Sequence, residues 1–192
     1  LLTQTAPLNK GAYGAFNTMQ NTQKGVIMVK ICTSILTAKQ ENAIQTFYDL
    51  EVAKTDYFHI DVMDGKFVEK NTQDLMLEYA TTIKHISNIP LDVHLMVENI
   101  KENIDKYVAL EPDIITFHYE ACKDDDEVNE LIKYIKESGV KCGISIKPNT
   151  SVDKIYKFFL SVYELHLVLL IISSLIVLLQ YLLLTTYSLE LS

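Results

Sequence analysis

The chain has 192 residues, 48% of them hydrophobic, enough for one domain with a sizeable core and too many for a disordered polymer. A net charge of −8 without any Lys/Arg cluster argues against a nucleic-acid surface, although a small anion can still bind through backbone N–H groups. Cys32, Cys122 and Cys142 are widely spaced with no C-x-x-C, which favours free thiols in a reducing compartment over a disulfide framework or a structural zinc.

Residues 1–27 begin at Leu1, are polar, and carry only Lys10 and Lys24 as charges. They lack the continuous apolar region of a signal peptide. We expect them to be a disordered extension or a gene-boundary artefact, with the domain opening at Met28.

From residue 28 the pattern alternates. Short apolar runs lie at 29–36, 56–63, 90–97, 113–119 and 140–146. Between them, 40–54, 99–110 and 124–138 place apolar residues at helical spacing along one face, and His85 falls in a further helical stretch as a surface residue. "DDDE" at 124–127 reads as a solvated helix N-terminus, and "ESGVKCG" places a glycine where that helix ends. "KPNTSVDK" predicts a loop into another helix capped by Thr150 or Ser151. Such alternation, at roughly 25–35 residues per unit, means βα units and a parallel sheet. The choice is between a doubly wound sheet and a (β/α)8 barrel. No G-x-G-x-x-G follows the first strand, which disfavours a dinucleotide-binding sheet. His59, Asp61, His94 and His118 fall late in their runs, where barrel enzymes place their chemistry.

In "HIDVMDG", His59, Asp61 and Met63 share one side of a strand, while Ile60 and Val62 share the other. In "DVHLM", Asp92, His94 and Met96 oppose Val93 and Leu95. With the polar sides inward, neighbouring strands would bring His59, Asp61 and His94 together. Two imidazoles and a carboxylate suit Zn, Mn, Fe or Co. A carboxylate there could also act as a base beside a polarised carbonyl, with methionines as a water-poor wall. The plainer reading is that a strand histidine is a hydrogen-bonded core residue and its Asp a structural partner. Spacing alone leaves both open. Asp64 and Gly65 are expected to shape the loop leaving the second strand.

"CTSIL" (32–36), "DYFHIDVMDGKFV" (56–68), "LDVHLMVEN" (91–99), "DIITFHYEA" (113–121) and "GVKCGISIKPNTSVDKI" (139–155) together resemble the ribulose-phosphate 3-epimerase family over about 29–160. The resemblance implies a TIM barrel. It implies metal-dependent epimerisation of D-ribulose 5-phosphate to D-xylulose 5-phosphate at C3 through an enediolate, a step of the pentose phosphate pathway. It assigns His59, Asp61 and His94 as metal ligands and Asp61 as one of two acid/base carboxylates. Ser34, His94, Met63 and Met96 would contact substrate, and the cofactor would be a divalent Zn, Fe, Mn or Co. His118 and Glu120 match a family segment but not its metal set, and read as supporting or structural residues. Allulose-6-phosphate 3-epimerases share the resemblance.

After about residue 160 the family pattern fails. "ELHLVLLI" resembles its sixth strand, but the Pro-Gly and Gly-Gly loop, the seventh-strand Asp and the phosphate-binding loops do not follow. Residues 165–189 contain no Lys, Arg, Asp, Glu, Gly or Pro and are long enough to cross a bilayer as a helix. The expected organisation is an N-terminal extension (1–27), a partial barrel (28–164) of about six βα units, and an apolar tail (165–192). Three readings of the tail are a frameshift product, a membrane anchor, or a divergent buried segment. The expected protein is a cytoplasmic enzyme acting on a sugar phosphate, compatible with a homo-oligomer, with reduced or no activity in this form. The competing expectation is a non-catalytic, membrane-tethered sugar-phosphate-binding module.

Overall fold

The computed structural model describes residues 30–158. Within them, five strands alternate with four α-helices: β1 (Cys32–Ser34), α1 (Ala43–Val52), β2 (Tyr57–Met63), α2 (Gln73–Ile86), β3 (Leu91–Met96), α3 (Ile100–Val108), β4 (Ile114–His118), α4 (Asp125–Glu137) and β5 (Lys141–Ser145). All neighbours are parallel and the order across the sheet is β1-β2-β3-β4-β5. A doubly wound sheet reverses its strand order at a switch point; this one advances one strand at a time, as the wall of a barrel does. It is a partial TIM barrel.

The sheet has two unlike faces because side chains alternate along each strand. Ile60, Val62, Val93, Leu95, Ile115, Phe117, Cys142 and Ile144 face the helices and join one apolar cluster with Phe47, Met76, Tyr79, Ile83, Ile104, Ile132 and Ile135. The other face carries His59, Asp61, Asp92, His94, Thr116, His118 and Ser145, all buried. Burying so many polar groups is costly unless they are paired or used.

Local chemistry sets the helix ends. Asp124 caps α4 by accepting the Glu127 N–H at 2.9 Å, while Glu127 Oε2 accepts the Lys123 N–H at 2.7 Å. The acidic first turn of α4 complements the helix dipole. Gly139, at φ +79, reverses the chain after α4 in a conformation that an L side chain resists.

Three expectations shift. β1 is three residues long, at the core of the longer apolar run. His59 is the third residue of seven in β2, mid-strand rather than late. Ser151 is a cap, but of a 3₁₀ turn (Val152–Lys154) that leads to a second one (Tyr156–Phe158), not an α-helix. His85 lies exposed on α2. Residues 1–29 and 159–192, and with them the expected N-terminal extension, sixth strand and apolar tail, lie outside the described residues. Among the described residues no helix is long and apolar enough to cross a membrane.

Candidate metal centre

Strand register builds the site. Asp61 of β2 sits opposite His94 of β3, and His59 sits opposite Asp92. Ser34 of β1 sits opposite His59. The ligand atoms of His59, Asp61 and His94 all lie within 4.8 Å of one another, and all three residues are buried. The triad read from the spacing is therefore assembled on one face.

Hydrogen bonds allot each atom a task. Asp61 Oδ2 accepts the Ser34 hydroxyl at 2.6 Å. Its Oδ1 is left facing both imidazoles, His59 Nε2 at 3.3 Å and His94 Nδ1 at 3.4 Å. His59 Nδ1 meets Asp92 Oδ2 at 2.7 Å. That short contact requires a hydrogen on Nδ1, because two lone pairs would repel. Nε2 is then the atom that His59 offers to the centre.

Charge accumulates at the centre. Burial by itself lowers the pKa of His59, but hydrogen bonds and charge from Asp61 and Asp92 outweigh it and push it up to about 10. Burial raises Asp61, yet the bonds from His59 and His94 hold it well below the usual carboxylate range. The carboxylates thus demand a positive charge between the rings. His59, Asp61 and His94 could hold a divalent cation, which would supply that charge, and this donor set suits borderline transition metals.

Surrounding residues fix the strands. The Thr72 hydroxyl donates to Asp61 O at 2.7 Å and accepts the Met63 N–H at 3.0 Å, tying α2 to the end of β2. Asp64 Oδ1 accepts the Lys66 and Phe67 N–H groups, both at 2.8 Å, and its Oδ2 accepts the Glu98 N–H at 2.7 Å. With Gly65 at φ +74, this shapes the loop as expected. Met63 and Met96 sit opposite one another in register at the ends of β2 and β3, and neither joins the apolar cluster under the helices.

Two residues take sharper roles than spacing could assign them. Asp92 shares the His94 face, and the His59–Asp92 register gives it the role of orienting His59. His118 proves to be in direct contact with the centre, its Nε2 2.9 Å from His94 Nε2. Burial, then the neighbouring His94, pulls the His118 pKa down to about 4. Lys147 lies over the Phe67 ring at 3.7 Å, and the Phe67 and His118 rings are 5.1 Å apart. Spacing placed Asp92 on the His94 face and His118 late in its strand, but the order of residues along the chain does not specify contact between β4 and a distant loop.

A family model described as the ribulose-phosphate 3 epimerase family matches residues 30–174. The chain is 37% identical over 143 residues to the ribulose-phosphate 3-epimerase of Bacillus subtilis, which covers 74% of this chain and 62% of that protein. It is 35% identical over 136 residues to that of Methanocaldococcus jannaschii, covering 71% and 55%. A chloroplastic ribulose-5-phosphate-3-epimerase of Arabidopsis thaliana is 28% identical over 139 residues, covering 72% and 48%. The chain thus spans between 48% and 62% of the length of these relatives.

Proposed function

This chain belongs to the ribulose-phosphate 3-epimerase family, and we propose that it carries the metal-binding, proton-abstracting half of a ribulose 5-phosphate 3-epimerase site. The reaction is inversion at C3, giving xylulose 5-phosphate through an enediolate, as an isomerase of the pentose phosphate pathway in the cytoplasm. The observation that carries this reading is the convergence of His59, Asp61 and His94 on one buried face.

His59, Asp61 and His94 would hold the metal, a divalent Zn, Fe, Mn or Co. Bound there, it would polarise the substrate oxygens and lower the cost of the enediolate. Asp61 takes the C3 proton onto its carboxylate. Ser34 holds Asp61 in place and meets the substrate from β1. Met63 and Met96 wall the reacting carbons against water without adding charge. Inversion then requires a proton delivered to the opposite face. The resemblance assigns that step to a seventh-strand Asp, and residues 159–192 contain no Asp. With Asp61 alone, the proton returns to the face it left. The expected behaviour of these 192 residues is exchange of C3–H with solvent that outpaces net epimerisation.

The test is incubation of the Co²⁺-loaded chain with ribulose 5-phosphate in D₂O, followed by NMR. We expect deuterium at C3, and a loss of about 10²–10⁴-fold in that rate for Asp61→Asn. Absence of both exchange and xylulose 5-phosphate with the metal-loaded chain would sink the reading.

A further inference from the structure

Beyond the metal ligands, one chain of contacts runs from the centre into the wall of the barrel. His94 Nε2 lies 2.9 Å from His118 Nε2. His118 Nδ1 in turn lies 3.4 Å from Glu120 Oε2. Those last two atoms are both buried and neither has a hydrogen-bond partner. The other Glu120 oxygen, Oε1, accepts the Lys147 N–H at 2.6 Å, which holds the carboxylate in place. His94 Nδ1 faces Asp61 at the opposite end of the chain.

We propose that Glu120 and His118 are positioning residues that fix the tautomer of His94, so that its Nδ1 lone pair points at the metal. This rests on the metal reading given above. One hydrogen must lie between the two Nε2 atoms, because facing lone pairs would repel. If His94 supplies it, the hydrogen of His118 sits on Nδ1 and faces the Glu120 carboxylate. If His118 supplies it, a neutral His118 turns a lone pair toward that carboxylate. A doubly protonated His118 would instead bury a cation beside a ring that already ligates a dication. The first arrangement alone avoids both penalties. In the metal-loaded site it leaves His94 with Nε2–H and a bare Nδ1 toward the metal; without the metal, Nδ1 carries the hydrogen that bonds Asp61 Oδ1 at 3.4 Å. A histidine ligand generally needs such a partner on its distal nitrogen, and losing it costs about 10–100-fold in metal affinity.

The test is Co²⁺ titration of the full chain, with the His59→Ala variant as the control for the site. His118→Phe keeps the ring but removes the acceptor, and it should weaken Co²⁺ binding about 10–100-fold. His118→Gln can present an oxygen near the former Nε2 position and should recover most of the loss. Independently of any variant, ¹⁵N-histidine spectra of the Zn²⁺-loaded parent should show His94 protonated at Nε2 and His118 at Nδ1. Parent-like binding in His118→Phe while His59→Ala binds nothing overturns the relay and leaves the metal site standing. So does a parent spectrum with the hydrogen of His118 on Nε2. If the parent itself binds no Co²⁺, the metal reading fails and the relay falls with it.

Discussion

Asp92 spends a buried carboxylate on orienting a neighbour. One of its oxygens bonds His59 Nδ1 at 2.7 Å, while the other is buried without a partner. Such a group is expensive to bury and persists where its hold on another residue matters. Asp92→Asn keeps the shape but removes the charge that favours His59 Nδ1–H. We expect Co²⁺ affinity to fall about 10–100-fold with little change in secondary structure, measured by metal titration and circular dichroism. Unchanged affinity would show that His59 holds its ring orientation without Asp92. At this scale the sequence was partly legible. Alternation put Asp92 on the His94 face, and Asp61 with both histidines. It could not say that Asp92 serves His59 rather than His94, because that depends on which residues stand opposite across the strands.

Elements were legible wherever a physical period was strong. The runs at 56–63, 90–97, 113–119 and 140–146 each contain the strand found, trimmed at the ends. The helices over 43–52, 100–108 and 125–137 lie inside the stretches expected from apolar spacing. Less legible was the fit between strands. Asp61, His94, Thr116 and Gly143 form one rung across β2 to β5. A Cβ placed on Gly143 would meet Thr116 Oγ1 at 2.3 Å and Thr116 Cγ2 at 3.2 Å. Gly143 is therefore needed for space. Gly143→Ala should cost about 1–3 kcal/mol, as overpacking of a closed core does. Thr116 Oγ1 is buried without a hydrogen-bond partner, so removing it costs little in polar contacts. Adding Thr116→Ala to Gly143→Ala should restore part of the loss, although Thr116 Cβ at 3.1 Å still crowds the site. A double-mutant cycle by urea unfolding checks this, and strictly additive effects would contradict the steric account.

Across the described residues the polar groups divide between the body of the strands and their N-terminal ends. The metal-site residues lie in the body of β2 and β3, with Met63 and Met96 at the C-terminal ends. A separate network closes the N-terminal end, where barrels concentrate stability rather than chemistry. The Tyr57 hydroxyl donates to Asp113 Oδ2 at 2.6 Å, Lys141 Nζ reaches the same oxygen at 3.4 Å, and Lys30 Nζ donates to the Tyr57 hydroxyl at 3.2 Å. These contacts link the starts of β2 and β5 to the residue before β4. The fold class was legible because strand–helix alternation recurs along the whole stretch, whereas this network joins residues far apart in sequence and left no local pattern. Its pH dependence has a definite sign. Burial, then the bond to Asp113, pushes the Tyr57 pKa up to about 12. The folded state thus favours the neutral phenol. The stabilisation is fully present below the ordinary tyrosine pKa of about 10 and is lost as pH rises toward the folded value. Tyr57→Phe removes the hydrogen bond and should cost about 1–2 kcal/mol near neutral pH. The gap between parent and variant should then close as pH climbs from about 10 to about 12, because only the parent loses the bond. Paired urea unfolding curves across that range measure it. A gap that stays constant through the window would mean that the hydroxyl contributes nothing to stability through its proton.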